Sequence, residues 1–395
     1  MFGFNSYWIL AKCIVFETEP DAEVDNVFGL ILNANAVSQQ NLVEGDIAVR
    51  RSRSAMFCAT DACYWPQSSD GIVQIPYIIS SDFAQKDRDK IQKSMTEFET
   101  LTCIDFVERK EENDYLNIIS GDGCWSFHGR TGGAQTLSLK KPWCLWMGVI
   151  EHELEHSLGL IHEHTRSDRD NYVKIMWQYI SPRARRNFEK KTKSNNLGLE
   201  YDYASIMHYG RKQFSNTSGE ATIIPIPDES VLIGHSTGLS NLDVAKINRL
   251  YNCSHCSTVL HTSKGLLTSA NYPSKYQSDT NCLWLIRLPG NPFRKLVSLT
   301  FDVFDLQSSE GCTADYVKVY DGISKSDKVL LDKTCGIKIP PTLTSSKNTM
   351  LIEFVSDHSV EGTGFRASYT SKSAFVYPRG WQLTNGINSG VSDFI

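Results

Sequence analysis

His152, Glu153, His156, Gly159, His162 and Glu163 fall in one thirteen-residue run, HELEHSLGLIHEH, that begins at His152. On an α-helix, residues four apart share a face, so His152 and His156 aim their imidazoles at one point. Glu153 follows one step round, on the face bordering that point. Gly159 has no Cβ and can take the left-handed conformation that ends a helix. A sharp turn there lets His162 arrive from another direction. Three neutral imidazoles with one position left open are the ligand set of a catalytic zinc; a structural zinc has its fourth position closed by protein. A glutamate beside the open position can serve as general base in peptide hydrolysis.

An isolated HExxH arises by chance in many helices. Its extension through Gly159 and His162 is far more restrictive, and is the zinc signature of the metzincin clan. Ser205-Ile206-Met207-His208-Tyr209 supplies a second element, a methionine-bearing turn at a suitable distance downstream. Met207 is expected to form a packing floor under the ligands without binding metal. His164 and His208 are expected to be bystanders.

The elements that must position these groups can be read from periodicity. The zinc helix is predicted from about 147 to 158. Residues 82–102 read as an amphipathic helix that buries Phe83, Ile91, Met95 and Phe98, with Asp82 as N-cap. Strands are predicted at 103–107, 115–120 and 135–139. Residues 172–190 read as a further helix, interrupted near Pro182. After Cys253 the character changes. Residues 256–370 carry short β-branched and aromatic runs between turn signals, the pattern of an all-β sandwich. The last residues, 371–395, are rich in Gly, Asn and Ser and read as a loose tail.

The chain resembles the astacin metallopeptidases over roughly residues 54–253, the length of one catalytic domain. The resemblance extends past the clan motif. Glu163, Arg166, Asp168, Arg169 and Asp170 continue the zinc run as that family does. Tyr201-Asp202-Tyr203 precedes the SIMHY turn, and residues 121–139, GDGCWSFHGRTGGAQTLSL, match a further block. Trp65-Pro66 and Ile75-Pro76-Tyr77 resemble the start of the mature enzyme, with residues 67–74 inserted between them. Residues 256–370 resemble a CUB domain, a protein-binding jelly roll, through Asn271-Tyr272-Pro273, the run DYVKVYDG from Asp315, and Gly362-Thr363-Gly364-Phe365. The expected fold class is therefore α+β, a metzincin catalytic domain followed by an all-β CUB sandwich.

The resemblance also implies roles. Tyr209 would be a further zinc ligand that swings away to donate to the oxyanion. Glu163 would pair with the new α-amino group of the mature chain. Strand 135–139 would be the edge along which substrate backbone adds antiparallel. The disulfides would be Cys103–Cys253 and Cys124–Cys144 in the protease and Cys256–Cys282 and Cys312–Cys335 in the CUB domain, leaving Cys58 with Cys63. Spacing alone leaves many pairings open. The CxxC of Cys253 and Cys256, taken alone, could also be half of a zinc knuckle or a redox pair. Many CUB domains hold calcium with one Glu and two Asp. Asp315 and Asp357 fill the Asp positions, but Gln307 stands at the Glu position, with Glu310 nearby, so weak or no calcium binding is expected.

Eleven cysteines in 395 residues indicate an oxidising compartment. Cys13 lies in a short apolar run, so residues 1–16 are a candidate signal peptide whose removal would leave ten. That run lacks a basic flank and is broken by Lys12, and a wrong or truncated start of the chain is the alternative. Residues 17–53 read as a propeptide. They hold a helix-like patch at 27–32 and end in Arg50-Arg51-Ser52-Arg53, which fits a furin-like cleaving enzyme or a solvated basic turn. Val43-Glu44-Gly45-Asp46 resembles the family's FxGD motif, with Val for Phe; there the aspartate reaches the zinc and holds the zymogen inactive. A Gly-Asp pair is equally common in plain turns. Asn216-Thr217-Ser218 is a glycosylation sequon.

The formal charge of −5 is mixed along the chain, with no basic stripe to suggest nucleic acid. No run of about twenty apolar residues suggests a membrane span. The expected protein is a secreted zinc endopeptidase, with Glu153 and Tyr209 catalytic and His152, His156 and His162 on the metal. Its partners would be protein or peptide substrates and a protein bound through the CUB domain. The rival readings are an inactive binding module, which would need a lost ligand, and another metzincin type, against which Glu163 and Tyr209 argue.

Overall fold

The computed structural model describes residues 26–49, 63–192, 194–234, 238–291 and 293–373. Cys13, Cys58, the basic cluster 50–53 and residues 374–395 of the tail lie outside them, while residues 371–373, expected in that tail, continue the last strand of the second domain. Asn26 caps helix α1 (Val27–Asn35), its side chain accepting from the Gly29 amide at 3.0 Å. A hairpin follows, β1 (Leu42–Val43) and β2 (Ile47–Ala48). Then β3 (Val73–Ile79), helix α2 (Gln85–Leu101) and β4 (Ile104–Glu108) form a parallel βαβ unit. Its crossover helix buries Ile91, Met95 and Phe98 on the sheet. Strands β5 (Tyr115–Ile119), β6 (Cys124–Ser126) and β7 (Ala134–Leu139) complete a seven-stranded sheet ordered β1-β2-β6-β7-β5-β3-β4. Helix α3 (Met147–Ser157) packs against α2.

Three sequence expectations need correction. First, α2 starts at Gln85 with no side-chain cap; the Asp82 carboxylate instead accepts from the Ser80 hydroxyl at 2.9 Å, in the turn before the helix. Second, 172–190 is not a helix. Strand β8 (Val173–Ile175) pairs antiparallel with β9 (Ile223–Pro225), and two 3-10 turns follow, at Trp177–Tyr179 and Arg185–Phe188. Long-range pairing overrides the local preference, and Arg169 draws the Phe188 carbonyl inward at 2.9 Å. Third, β7 is not an edge. It lies between β5 and β6, and β6 returns antiparallel to it with Cys124 opposite Leu139. On β6, the strand β2 adds in parallel.

Helix α4 (Asn241–Leu250) closes the first domain. Ser240 caps it in a reciprocal box with Asp243. The second domain has two sheets. One is ordered β10-β12-β17-β14-β15, from β10 (Cys256–Leu260), β12 (Asn281–Arg287), β14 (Tyr316–Tyr320), β15 (Val329–Thr334) and β17 (Thr349–Val355). The other is ordered β11-β18-β13-β16, from β11 (Lys264–Thr268), β13 (Lys295–Asp305), β16 (Leu343–Thr344) and β18 (Gly364–Ser373). Inward residues of both, among them Trp284, Phe301, Phe354 and Phe365, form its core. Cys103–Cys253, Cys124–Cys144, Cys256–Cys282 and Cys312–Cys335 are bonded. Among the described residues no helix is long and apolar enough to cross a membrane.

Candidate active site

Helix α3 presents His152, Glu153 and His156, all fully buried. Gly159 ends it at φ +95°, and a Cβ there would meet the Tyr64 ring at 2.9 Å. The turn delivers His162 to the two helix histidines, with ring centroids 5.3 Å from His152 and 4.7 Å from His156. Each imidazole is oriented by its far nitrogen. His152 Nδ1 lies 2.9 Å from the Ile206 carbonyl, His156 Nδ1 lies 3.0 Å from the Leu160 carbonyl, and His162 Nδ1 lies 2.9 Å from Glu44 Oε2. These contacts call for a proton on Nδ1 and turn the Nε2 atoms toward one another.

A fourth group meets them from the N-terminal segment. Asp46 Oδ2 lies 2.8 Å from His152 Nε2 and 3.2 Å from His162 Nε2, and its Oδ1 lies 3.5 Å from His156 Nε2. The four ligand atoms fall within 4.8 Å of one another, the one such cluster of His, Cys, Asp or Glu among the described residues. Asp46 Oδ1 and His156 Nε2 are buried without a hydrogen-bond partner. Burial alone would raise the Asp46 carboxyl, but the histidines outweigh it and hold it well below the usual range. Burial likewise works against charge on His162, yet Asp46 and Glu44 push it up to about 9. The cluster can hold a cation. Three imidazole nitrogens and one carboxylate oxygen are a donor set that zinc accepts, and a zinc ion there would leave His162 neutral.

The chain matches the Astacin peptidase family model over residues 61–252 and the CUB domain model over 256–369. An astacin-like metalloendopeptidase of Gallus gallus is 57% identical over 353 residues, 89% of this chain and 85% of that one. The chain belongs to the astacin family. High choriolytic enzyme 1 of Oryzias latipes is 46% identical over 223 residues, 56% of this chain and 82% of its own. The solved structure of that hatching enzyme zinc-protease aligns at 47% identity with a TM-score of 0.49, covering 51% of this chain and 100% of that one. This astacin is a zinc metalloendopeptidase whose catalytic domain is followed by a CUB domain.

In the astacin domain, Glu153 is fully buried with neither carboxylate oxygen partnered. Burial first, and then the Asp46 charge, raise it well above the usual range. Tyr209 is fully buried, its hydroxyl donates to the Glu44 carbonyl, and its ring centroid is 4.8 Å from that of His162. Glu163 accepts from Arg166 at 3.0 Å, from the Asp202 amide at 2.7 Å and from Lys246 at 2.7 Å. The Met207 carbonyl accepts from the Glu163 amide at 3.0 Å, which ties the methionine turn to the third histidine. Asp243 of α4 holds that turn from behind through the Ser205 hydroxyl at 2.6 Å and the Ile206 amide at 2.9 Å. His208 bonds Tyr201 at 2.8 Å, and His164 lies against the Tyr209 ring at 3.7 Å; both are part of the frame.

Three further residues at the site escape sequence reasoning. Glu44, at φ +53°, carries one carboxylate oxygen to His162 and the other to Lys191. Asn35 at the end of α1 donates to the Gly45 carbonyl at 2.9 Å and the Cys124 carbonyl at 2.6 Å, and accepts from the Cys124 amide at 2.7 Å. Phe28 stacks on Tyr209 with centroids 3.8 Å apart. Glu44 stands inside the FxGD-like motif, where a second acid so near Asp46 was the available signal. Asn216 is exposed. Cys63 is disulfide-bonded.

Proposed function

We propose that the protein is a secreted zinc endopeptidase held latent by its own N-terminal segment until a cut near Arg53 releases it. One observation carries this reading: the Asp46 carboxylate lies among the three histidine Nε2 atoms that the peptidase needs. Bound zinc would polarise a scissile carbonyl and acidify a water molecule. Asp46 takes the position that water would use. Hairpin strand β2 pairs in parallel with β6 through Ile47 and Ser126, and the bend before it sets Asp46 among the histidines.

Once the segment leaves, Glu153 is the base that takes the proton of the attacking water and returns it to the leaving amine. Tyr209, freed from the Glu44 carbonyl, donates to the developing oxyanion, a contact worth about 3 kcal/mol. Glu163 exchanges part of its ion pairing with Lys246 and Arg166 for the new α-amino group. Its side chain borders a cavity of about 690 Å³ lined also by Tyr64, Leu160 and Lys191, which has room for an incoming terminus. Secretion is supported by the cysteine density and by the exposed sequon at Asn216. Protein binding by the CUB domain is supported by its loop tip, where Ile337 and Ile339 are 80% and 52% exposed.

Peptide hydrolysis by the purified full chain, before and after furin treatment and with and without a zinc chelator, tests this. Activity that appears only after the cut and disappears with chelation supports it. Full activity in the uncut chain, or an active N-terminus far from residue 54, contradicts it.

A further inference from the structure

Arg287 ends strand β12 of the CUB domain, yet its guanidinium is buried in the catalytic domain. It donates through Nη2 to Glu97 on α2, and the two side chains are 4% and 0% exposed. Nη1 reaches the Leu239 carbonyl at 3.5 Å. A Cβ on Gly238 would fall 1.7 Å from Nη1, so the glycine is the space that the guanidinium fills.

The surroundings hold this pair in place. Only Ser254 and His255 separate Cys253, bonded to Cys103, from Cys256, bonded to Cys282. The Ser257 hydroxyl donates to the Leu101 carbonyl at the end of α2, at 2.5 Å. The Val259 amide donates to Asn241 at the start of α4, at 2.9 Å. Val259, Leu283, Leu285, Tyr320, Ile323 and Leu351 of the CUB domain are continuous with the core of the protease. A tethered module does not share its core with its neighbour; domain contacts of that kind are more polar and more loosely packed.

The ion pair has consequences for the metal site. Helix α2, which carries Glu97, packs on α3, which carries His152, Glu153 and His156. Glu151, one residue before His152, is fully buried on the same helix. Removing Arg287 would leave the Glu97 carboxylate buried without its partner on the helix that packs against the zinc helix, and one broken partner of a buried pair is strongly destabilising.

We propose that the CUB domain is an integral part of the catalytic unit, with Arg287 a positioning residue that, through Glu97, fixes α2 against the zinc helix. The activity readout rests on the peptidase assignment; the stability readout does not.

The test uses the full chain after activation, as wild type, R287M, R287K, E97Q and the E97Q/R287M double variant. Thermal unfolding, zinc retention against a chelator, and kcat and KM on a quenched peptide are measured for each. R287M is expected to lose about tenfold or more in kcat with KM within about twofold, and to release zinc at lower chelator. R287K should fall between R287M and wild type. Adding E97Q to R287M should restore part of both kcat and Tm, because it removes the unpaired charge. If R287M is not recovered folded, R287K is read in its place: lowered kcat and easier zinc release in R287K support the proposal, and wild-type kcat and zinc retention in it overturn the proposal. Wild-type kcat and zinc retention in R287M overturn it even if Tm falls, since Arg287 would then be only a staple between domains. A wild-type chain that is inactive, or indifferent to chelation, would instead sink the peptidase reading.

Discussion

The Tyr209 hydroxyl donates to the backbone carbonyl of Glu44, two residues before Asp46. One three-residue stretch therefore engages the histidine cluster, through Asp46, and the tyrosine beside it, through Glu44. The Glu44 side chain adds the bond to His162 Nδ1. Positive φ values at Glu44 (53°) and Gly45 (93°) make the bend that aims both residues into the site. Latency in this reading is a single cooperative plug, and its removal frees the metal position and the oxyanion donor together.

Tyr209→Phe in the activated enzyme is expected to lower kcat about a hundredfold and leave KM nearly unchanged, because the hydroxyl matters once the oxyanion forms. Steady-state kinetics on one peptide decides. Wild-type turnover would remove Tyr209 from the chemistry.

Glu153→Ala is expected to abolish hydrolysis while zinc stays near one per chain, since Glu153 is a base and not a ligand. Metal analysis of the folded variant is the check. Loss of stoichiometric zinc would show that its role has been misread.

Asn35→Ala should weaken the plug without touching the metal site. Asn35 makes three hydrogen bonds, to Gly45 and to both backbone groups of Cys124. Their loss is expected to cost about 1–3 kcal/mol of docking, seen as faster proteolysis of the uncut segment and a low basal activity. An uncut variant as resistant and as silent as wild type would exclude Asn35 from the clamp.

Much of this was legible in the sequence because its causes are local. His152, Glu153 and His156 share a helix turn, Gly159 ends that turn, and the methionine turn has its own short signature. The β-rich second domain was legible from its short β-branched and aromatic runs between turn signals. The Asp82 cap is lost to a local competitor, the Ser80 hydroxyl, whereas the other misreadings come from pairing with residues outside the segment itself. Residues 173–175 are strand because 223–225 pair with them. Strand β7 is internal because β6 folds back onto it and then accepts β2. Asn35 meets Cys124 across 89 positions and Arg287 meets Glu97 across 190, and neither leaves a local pattern.

Calcium is expected to bind the CUB domain weakly or not at all. Asp315 accepts from the Tyr276 hydroxyl and from the Asp357 amide at 2.8 Å. Gln307 brings no charge, and its Oε1 accepts from Ser359 at 3.0 Å. Calorimetric titration of the full chain with calcium should give no micromolar site. Such a site, lost in Asp357→Ala, would mean that Gln307 or Glu310 completes a shell.

The most direct test of the latent-peptidase account is the activity of the uncut chain carrying Asp46→Ala, with its cleavage motif at 50–53 disabled. The account predicts measurable, chelator-sensitive hydrolysis from this uncut variant, against none from the uncut parent. An uncut Asp46→Ala chain that binds zinc and stays as silent as its parent would contradict the central claim that Asp46 is what holds the enzyme off.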